Sequence, residues 1–163
     1  MGLQFARVAT SIGPMLIAET ERGVASVTTG GDLPLFVAGL RRRFPERDPE
    51  PGSIDAGWVD RVLDGGAIPP IDTRGLSAFD VRVYHAVREV RQGTTVTYGE
   101  VAALIGSPGA ARAVGGALAR CPLFPAVPCH RVVRASDGWS GWGGDDRLKR
   151  TLLARESSMW AAK

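Results

Sequence analysis

Short apolar segments alternate with turn residues at the start of the chain. Residues 3–10, 14–19 and 23–28 are rich in apolar and β-branched side chains, and the turn signals at Ser11–Pro14 and Glu21–Gly23 separate them. This pattern predicts a small antiparallel sheet of three strands.

The pattern then changes to a helical period. Asp32 is a suitable N-cap for a helix from Leu33 to about Arg43. The apolar residues that we expect on its inner face are Leu35, Phe36 and Leu40. The charged, proline-broken run 41–52 predicts an exposed loop.

A second apolar face precedes a connector. Its members fit one side of a short helix and are Trp58, Val59, Val62 and Leu63. The Gly- and Pro-rich segment 65–76 then reads as a linker. We therefore predict an N-terminal supporting domain over residues 1–72 and a second domain over residues 77–163.

The second half predicts mainly helices. Ser77 is placed to cap a helix whose inner face has spacings of four, four and three, at Phe79, Val83, Val87 and Val90. Thr97 and Glu100 match a capping box that opens a helix ending near Ile105. Gly106 ends this helix, and Ser107 with Pro108 predicts the start of another that runs to about Arg120.

Two short helices joined by a tight turn form the outline of a helix-turn-helix. With the N-terminal strands, this outline predicts an α+β fold. It comprises a small sheet-and-helix domain followed by a mostly helical domain. The second of these helices is unusually slim, because residues 110–120 are mostly Ala and Gly, and Arg112 is the long side chain near its start.

Composition excludes several classes of protein. Among 163 residues, 44% are hydrophobic, which is too many for a disordered chain. No run approaches the roughly 20 apolar residues of a membrane span. The N-terminal residues lack the pattern of a secretory signal, so we expect a cytoplasmic protein.

Charge is unevenly divided along the chain. Residues 1–75 carry a net charge of −2 and residues 76–163 a net charge of +5, and 18 of the 20 basic residues are arginine. Arginine suits phosphate contacts through its planar, forked donors. The balance favours nucleic-acid binding by the second half, although a solvated basic surface would show the same asymmetry.

The two cysteines, Cys121 and Cys129, offer no disulfide framework and no zinc motif. Cys129 stands beside His130 in the string Pro128-Cys129-His130-Arg131-Val132. A thiolate becomes a strong nucleophile next to a base or cation. On an extended segment His130 would point away from Cys129, so the pair alone is equally consistent with a structural cysteine.

The complete set of motifs resembles the O6-alkylguanine-DNA alkyltransferases. The resemblance rests on PCHRV, on YGEVA upstream, on the small-residue helix, and on the glutamate of LLARE, in that family's order from about Phe79 to Glu156. It implies a single-turnover methylated-DNA–protein-cysteine S-methyltransferase. Such a protein transfers the alkyl group of O6-alkylguanine in DNA irreversibly to its own cysteine, with no cofactor and no metal.

The resemblance also implies the catalytic roles. Cys129 would accept the alkyl group, and His130, oriented by Glu156, would act as the base through a water molecule. Tyr98 would help to rotate the nucleotide out of the duplex and donate a hydrogen bond to the departing guanine.

For DNA, the resemblance implies a monomer that binds the minor groove of double-stranded DNA around a flipped base. Arg112 would fill the gap in the base stack, and the slim helix would lie in the groove. The remaining DNA-contacting positions implied are Ser107, Ala110, Ala111 and Gly115. The implied lining of the guanine pocket is Tyr98, Phe124, Val132, Trp142 and Gly143.

Two departures from the family pattern leave other functions open. Cys121 stands where members usually have an asparagine that braces the helix-turn-helix, and Phe124 stands where a proline of the pocket wall is expected. A lesion-binding protein of the same fold that transfers nothing is therefore the main alternative, although such proteins usually lack the reactive cysteine. A DNA-binding regulator with an inert Cys129 and a cysteine hydrolase are more distant alternatives.

Overall fold

The computed structural model describes residues 2–136 and 146–161. The strands are β1 (Gln4–Thr10), β2 (Gly13–Thr20), β3 (Gly23–Thr29), β4 (Glu50–Pro51), β5 (Val96–Thr97) and β6 (Val132–Val133). The helices are α1 (Leu33–Arg43), α2 (Gly57–Leu63), α3 (Ala78–Arg88), α4 (Tyr98–Leu104), α5 (Ala111–Ala119) and α6 (Asp146–Ala161). This is the predicted α+β class.

The chain divides into two compact units. The first comprises residues 1–62, 66–76 and 122–126, and the second comprises residues 63–65, 77–121 and 127–163. The short segment 122–126 thus groups with the N-terminal residues, although it follows α5 in the chain.

The first unit contains a four-stranded sheet in the order β3-β2-β1-β4. The three strands predicted from the sequence are present and antiparallel, and β4 adds a parallel edge to β1. Asp32 caps α1 as predicted, accepting a hydrogen bond from the backbone of Leu35 at 3.1 Å. The apolar cluster of this unit consists of Leu3, Leu16, Ala18, Ala25, Phe36, Leu40 and Phe44.

Two predictions for this unit are wrong. The side chain of Leu35 is 71% exposed, because the inner face of α1 is formed by residues four apart, Phe36 and Leu40. The run 41–52 is not simply an exposed loop: Phe44 is fully buried, with the guanidinium of Arg43 4.8 Å from the centre of its ring. Burial of Phe44 in the apolar cluster is what holds this charged segment in place.

The predicted connector is more ordered than its composition indicates. Its residue Ile71 forms a bridge to Val24, and Val24 donates a backbone hydrogen bond to the carbonyl of Pro70 at 3.0 Å. Gly23 allows this approach, since a Cβ there would lie 2.3 Å from the Pro70 oxygen, and its φ of +129° favours glycine. Buried Asp72 accepts hydrogen bonds from Thr20 and Arg74.

The second unit is helical. Ser77 caps α3, and both hydrogen bonds of the predicted capping box are present at Thr97 and Glu100. The helices α4 and α5 pack against each other and against α3, which gives the predicted helix-turn-helix outline. Buried Tyr84 of α3 fixes α5 by donating its hydroxyl hydrogen to the carbonyl of Ala117 at 2.7 Å.

The predicted start of the second helix of this motif is wrong. Ser107 and Pro108 belong to the turn, and α5 begins at Ala111. Gly106 ends α4 with a φ of +78°, and Ala110 closes a turn by donating to the carbonyl of Ser107 at 2.9 Å. Ser107 and Ala110 therefore precede the helix that they were predicted to join.

Candidate active site

A parallel pair of very short strands assembles the site. Val96 and Thr97 of β5 pair with Val132 and Val133 of β6. Because α4 starts directly after β5, and Cys129 lies just before β6, this pairing brings the start of α4 to the segment around Cys129. The two segments are more than thirty residues apart in the chain.

Cys129 opens a single 3₁₀ turn, Cys129–Arg131, and is 2% exposed. Its thiol donates a hydrogen bond to the carbonyl of Val127 at 3.3 Å. A hydrogen bond with the Cys121 side chain and burial raise the pKa of the Cys129 thiol well above its ordinary value, and nearby Lys149 partly opposes them. The resting residue is therefore a thiol that needs a base.

His130 and Glu156 form the centre of a buried polar cluster. The distance from His130 Nε2 to Glu156 Oε1 is 2.6 Å. Burial lowers the pKa of His130, so the imidazole is neutral at pH 7. Burial alone would raise the pKa of Glu156, but hydrogen bonds from His130 and Arg131 outweigh it and hold the value at about 2.

These charges determine which nitrogen of His130 carries the proton. An ionised carboxylate only accepts hydrogen bonds, so Nε2 is the protonated nitrogen and donates to Glu156. Nδ1 then keeps the ring lone pair and can receive a proton. In the 3₁₀ turn, consecutive side chains diverge by about 120° rather than pointing to opposite faces. The segment Cys129–Arg131 was predicted to be extended, and this prediction is wrong because the segment forms a 3₁₀ turn.

Arg131 and Lys149 complete the cluster. Arg131 contacts both carboxylate oxygens of Glu156, with Nη2 2.8 Å from Oε1, and donates to the carbonyl of Val90 at 2.9 Å. Lys149 is fully buried and donates to the carbonyl of Val132 at 2.6 Å. Lys149 and Glu156 share the inner face of α6 with Leu152, so this lysine lies in the protein interior and not at the surface.

A groove of about 520 Å³ lies beside the helix-turn-helix. It is lined by the beginnings of α4 and α5 and by the segment after β6, with the residues Thr97, Tyr98, Gly99, Ala111, Arg112, Gly115, Arg134, Ala135 and Ser136. The ring of Tyr98 packs next to Gly115, where a Cβ would lie 3.9 Å from its carbons. Arg112 is exposed at the rim, so the groove combines an aromatic ring, a flat helix surface and positive charge.

The comparisons with known proteins agree with this geometry. Residues 78–158 match the family model described as 6-O-methylguanine DNA methyltransferase, DNA binding domain. The methylated-DNA–protein-cysteine methyltransferase of Mycobacterium tuberculosis is 36% identical over 96% of this chain and 93% of its own length. The chain belongs to the methylated-DNA–protein-cysteine methyltransferase family.

Two further relatives define the extent of the match. Escherichia coli Ada, a bifunctional transcriptional activator/DNA repair enzyme, is 34% identical over 96% of this chain, but this chain spans only 46% of Ada. The crystal structure of Mycobacterium tuberculosis OGT in complex with DNA superimposes with a TM-score of 0.74 and 33% identity. That match covers 98% of this chain and 94% of the mycobacterial chain.

Seven of the predicted site residues fall into two groups. Cys129, His130 and Glu156 lie in one buried region, and Tyr98, Ala111, Arg112 and Gly115 share the groove. Val132 is buried and holds Lys149 through its carbonyl. Phe124 is buried in the segment that groups with the first unit, so its place in a guanine pocket stays a prediction.

Trp142 and Gly143, which the resemblance implies as lining of the guanine pocket, lie outside the described residues. Among the described residues, no group of three or more His, Cys, Asp or Glu side chains is arranged to hold a metal ion. No described helix is long and apolar enough to cross a membrane.

The burial of Lys149 in the site is not among the predictions made from the sequence. A signal for it was available, since Lys149, Leu152 and Glu156 recur with spacings of three and four and so share one face of a helix. The spacing alone does not decide the burial of Lys149, because a lysine on a helix usually lies at the surface.

Proposed function

We propose that this protein repairs DNA by transferring the alkyl group of O6-alkylguanine to Cys129, once and irreversibly. The observation that carries the proposal is the cluster of Cys129, His130 and Glu156, in which a buried thiol lies next in the chain to a neutral imidazole whose Nε2 is fixed by a carboxylate. A purely structural cysteine does not need such an arrangement.

The chemistry begins with loss of the thiol proton. Nδ1 of His130 takes it through a bridging water, and Glu156 stabilises the imidazolium that results. The Cys129 sulfur then attacks the alkyl carbon, and the bond from that carbon to O6 breaks. The electron pair of that bond passes to guanine, which gains a proton from the Tyr98 hydroxyl. Water returns a proton to the Tyr98 oxygen, and the imidazolium of His130 releases to water the proton that it took from the thiol. The products are a Cys129 thioether and an unmodified guanine.

The groove supplies the means of reaching the base. O6 lies inside the base stack, so the nucleotide has to leave the duplex before the sulfur can reach it. We infer that α5 enters the minor groove, that Arg112 takes the vacated place, and that Tyr98 supports the rotated nucleotide. The small residues at Ala111 and Gly115 permit the close approach of a phosphate backbone.

The deciding experiment is intact-protein mass spectrometry after incubation with a duplex oligonucleotide that contains O6-methylguanine. We expect a stoichiometric gain of one methyl mass, on the peptide that bears Cys129. Cys129→Ala should lose the gain and keep lesion-selective binding. Cys121→Ala, the matched control at the other cysteine, should leave the methyl mass on Cys129.

A different result would favour the lesion-binding alternative. Tight, lesion-selective binding by the unaltered protein without any mass gain would mean that the fold senses O6-alkylguanine and transfers nothing. Methyl mass on a peptide other than that of Cys129 would refute the proposed acceptor.

We infer further that the protein acts as a monomer in the cytoplasm. Both cysteines are free thiols in the structure, and an acceptor has to be reduced before it reacts. Sedimentation of the protein with and without a short DNA duplex tests whether it is a monomer in both states.

A further inference from the structure

The groove beside the helix-turn-helix contains a second arginine in addition to Arg112. Arg134 lines the groove from the segment directly after β6, whereas Arg112 lines it from the first turn of α5. Both residues are exposed. Among the described residues that line the groove, none is an aspartate or a glutamate. The groove therefore presents two planar cations to a negatively charged ligand.

The pairing of β5 with β6 determines where Arg134 lies. Thr97 is paired with Val133, the last residue of β6. The residues that come next, Tyr98 and Arg134, therefore leave the pair at the same level, and both line the groove. β6 is buried, and one of its carbonyls accepts a hydrogen bond from buried Lys149 at 2.6 Å. The backbone before Arg134 is thus anchored, which reduces the ordering that a ligand has to impose on this segment.

Arg134 belongs to the same short segment as the alkyl acceptor, but at a different depth. It follows Cys129 by five residues. Cys129 is 2% exposed, whereas Arg134 is exposed at the groove. A nucleotide that leaves the duplex rotates about its backbone, so its base moves inward to the sulfur while its phosphates stay at the surface. The negative charge of the DNA strand therefore comes to the level of Arg134.

We propose that Arg134 binds a phosphate group of the strand that carries the alkylated guanine, and so holds the rotated nucleotide in the groove. The inference rests on the proposed function, because it requires a nucleotide that leaves the duplex. Arg134 is a positioning residue and takes no part in the alkyl transfer itself. Its forked N–H groups match two phosphate oxygens, and such charge-assisted pairs are stronger than neutral hydrogen bonds.

This role differs from that of Arg112. A side chain that fills the gap in the base stack matters in duplex DNA, where there is a stack to fill. A side chain that binds a phosphate matters in duplex and single-stranded DNA alike. Free O6-methylguanine has neither a stack nor a phosphate. The three substrates therefore separate the two arginines.

The test measures DNA binding, so it does not depend on alkyl transfer. The Cys129→Ala protein, with and without Arg134→Ala, is titrated with a fluorescent duplex that contains O6-methylguanine at several NaCl concentrations. We expect Arg134→Ala to weaken binding by about tenfold at low salt. The slope of log K against log salt should become less steep by about 0.9, the change for one phosphate contact on duplex DNA. Arg7→Ala, the matched control at an exposed position of β1 outside the groove lining, should change neither quantity.

An uncharged methylphosphonate linkage, placed in turn at each phosphate near the lesion, locates the contact. At one of these linkages we expect the protein with Arg134 to lose about tenfold in affinity, and Arg134→Ala to lose little, because the charge that the arginine binds is already gone. Arg134→Lys should restore the salt slope, since lysine keeps the charge, but only part of the affinity, since lysine lacks the forked donors.

Two results would overturn the inference. One is a salt slope for Arg134→Ala that equals the slope for Arg7→Ala. The other is a series of neutral linkages in which no single position removes the difference between Arg134 and alanine. If Arg134→Ala does not fold, the same comparison is made between Arg134 and Arg134→Lys, and the neutral linkage should then remove the difference in affinity between them.

The two proposals fail separately. Phosphate binding through Arg134 in a protein that transfers no methyl group would refute the proposed function alone. Methyl transfer by a protein whose DNA binding is unchanged by Arg134→Ala would refute the phosphate contact alone. If both hold, Arg134→Ala should slow methyl transfer from duplex and single-stranded oligonucleotides about tenfold more than transfer from free O6-methylguanine. Arg112→Ala should show its excess loss with the duplex and not with the single strand.

Discussion

Replacement of Glu156 by glutamine removes a carboxylate that serves both His130 and Arg131. The pKa of Glu156 is about 2 in the folded protein, against an ordinary value of 4.5. A difference of that size corresponds to about 3 kcal/mol of folding free energy, since one pKa unit is about 1.4 kcal/mol. We therefore expect Glu156→Gln to lower the free energy of unfolding by about 3 kcal/mol or more at pH 7. The variant also removes the carboxylate that balances the buried charge of Arg131.

The sign of the pH dependence follows from the direction of the shift. A folded-state pKa below the unfolded one gives stability that is fully present above about pH 4.5 and is lost as the pH falls toward 2. By pH 3 the contribution of Glu156 should have fallen from about 3 to about 1 kcal/mol. The stability difference between the unaltered protein and Glu156→Gln should therefore shrink as the solution is acidified.

Urea unfolding at pH 7 and pH 3 measures both quantities, and Glu89→Gln makes the same chemical change at an exposed position as the control. A difference that stays constant with pH would refute the assignment of a depressed pKa to Glu156. A loss at pH 7 no larger than that of Glu89→Gln would mean that the buried cluster does not form. In the methyl-transfer assay we expect the rate constant of Glu156→Gln to fall by about 100-fold or more, because the imidazolium loses its counter-charge.

Three further changes probe the groove and the first unit. Gly115→Ala should raise the free energy of unfolding by up to about 1 kcal/mol, because the added methyl meets Tyr98 at an ordinary 3.9 Å, yet slow repair in duplex DNA. Gly116→Ala, in the same helix but outside the groove lining, should give no comparable slowing; equal slowing by both would remove Gly115 from the interface. Arg112→Ala should slow repair in duplex DNA far more than reaction with free O6-benzylguanine, and equal rate losses would contradict a stack-filling role. Phe44→Ala should lower the free energy of unfolding by about 3 to 5 kcal/mol in urea while Leu35→Ala lowers it little, and similar losses would refute the burial of Phe44 and the exposure of Leu35.

Local patterns in the sequence were sufficient for most of the elements. The strands β1 to β3, the caps at Asp32, Ser77 and Thr97, and the buried face of α2 depend on residues close together in the chain. Such features are governed by side-chain period and by local hydrogen bonds.

The wrong predictions concern positions whose structure depends on residues distant in the chain. Residues 107–110 form a turn after Gly106, so α5 begins after Pro108 and not at it. Phe44 lies in a charged stretch of sequence, yet it is buried because it packs against residues distant in the chain. For α1, the pattern predicted both Leu35 and Phe36 on the inner face, but the apolar cluster contains Phe36 and not Leu35.

By itself, the sequence determined the chemical inventory of the site: a thiol, an imidazole and a carboxylate in PCHRV and LLARE, and the tyrosine and arginine of a helix-turn-helix. Only the tertiary structure decided their state. Pairing of β5 with β6 and packing of α6 bury His130 against Glu156, and ion pairing then fixes the proton on Nε2. Protonation depends on desolvation and on charges brought together from distant parts of the chain, and these exist only once the chain is folded.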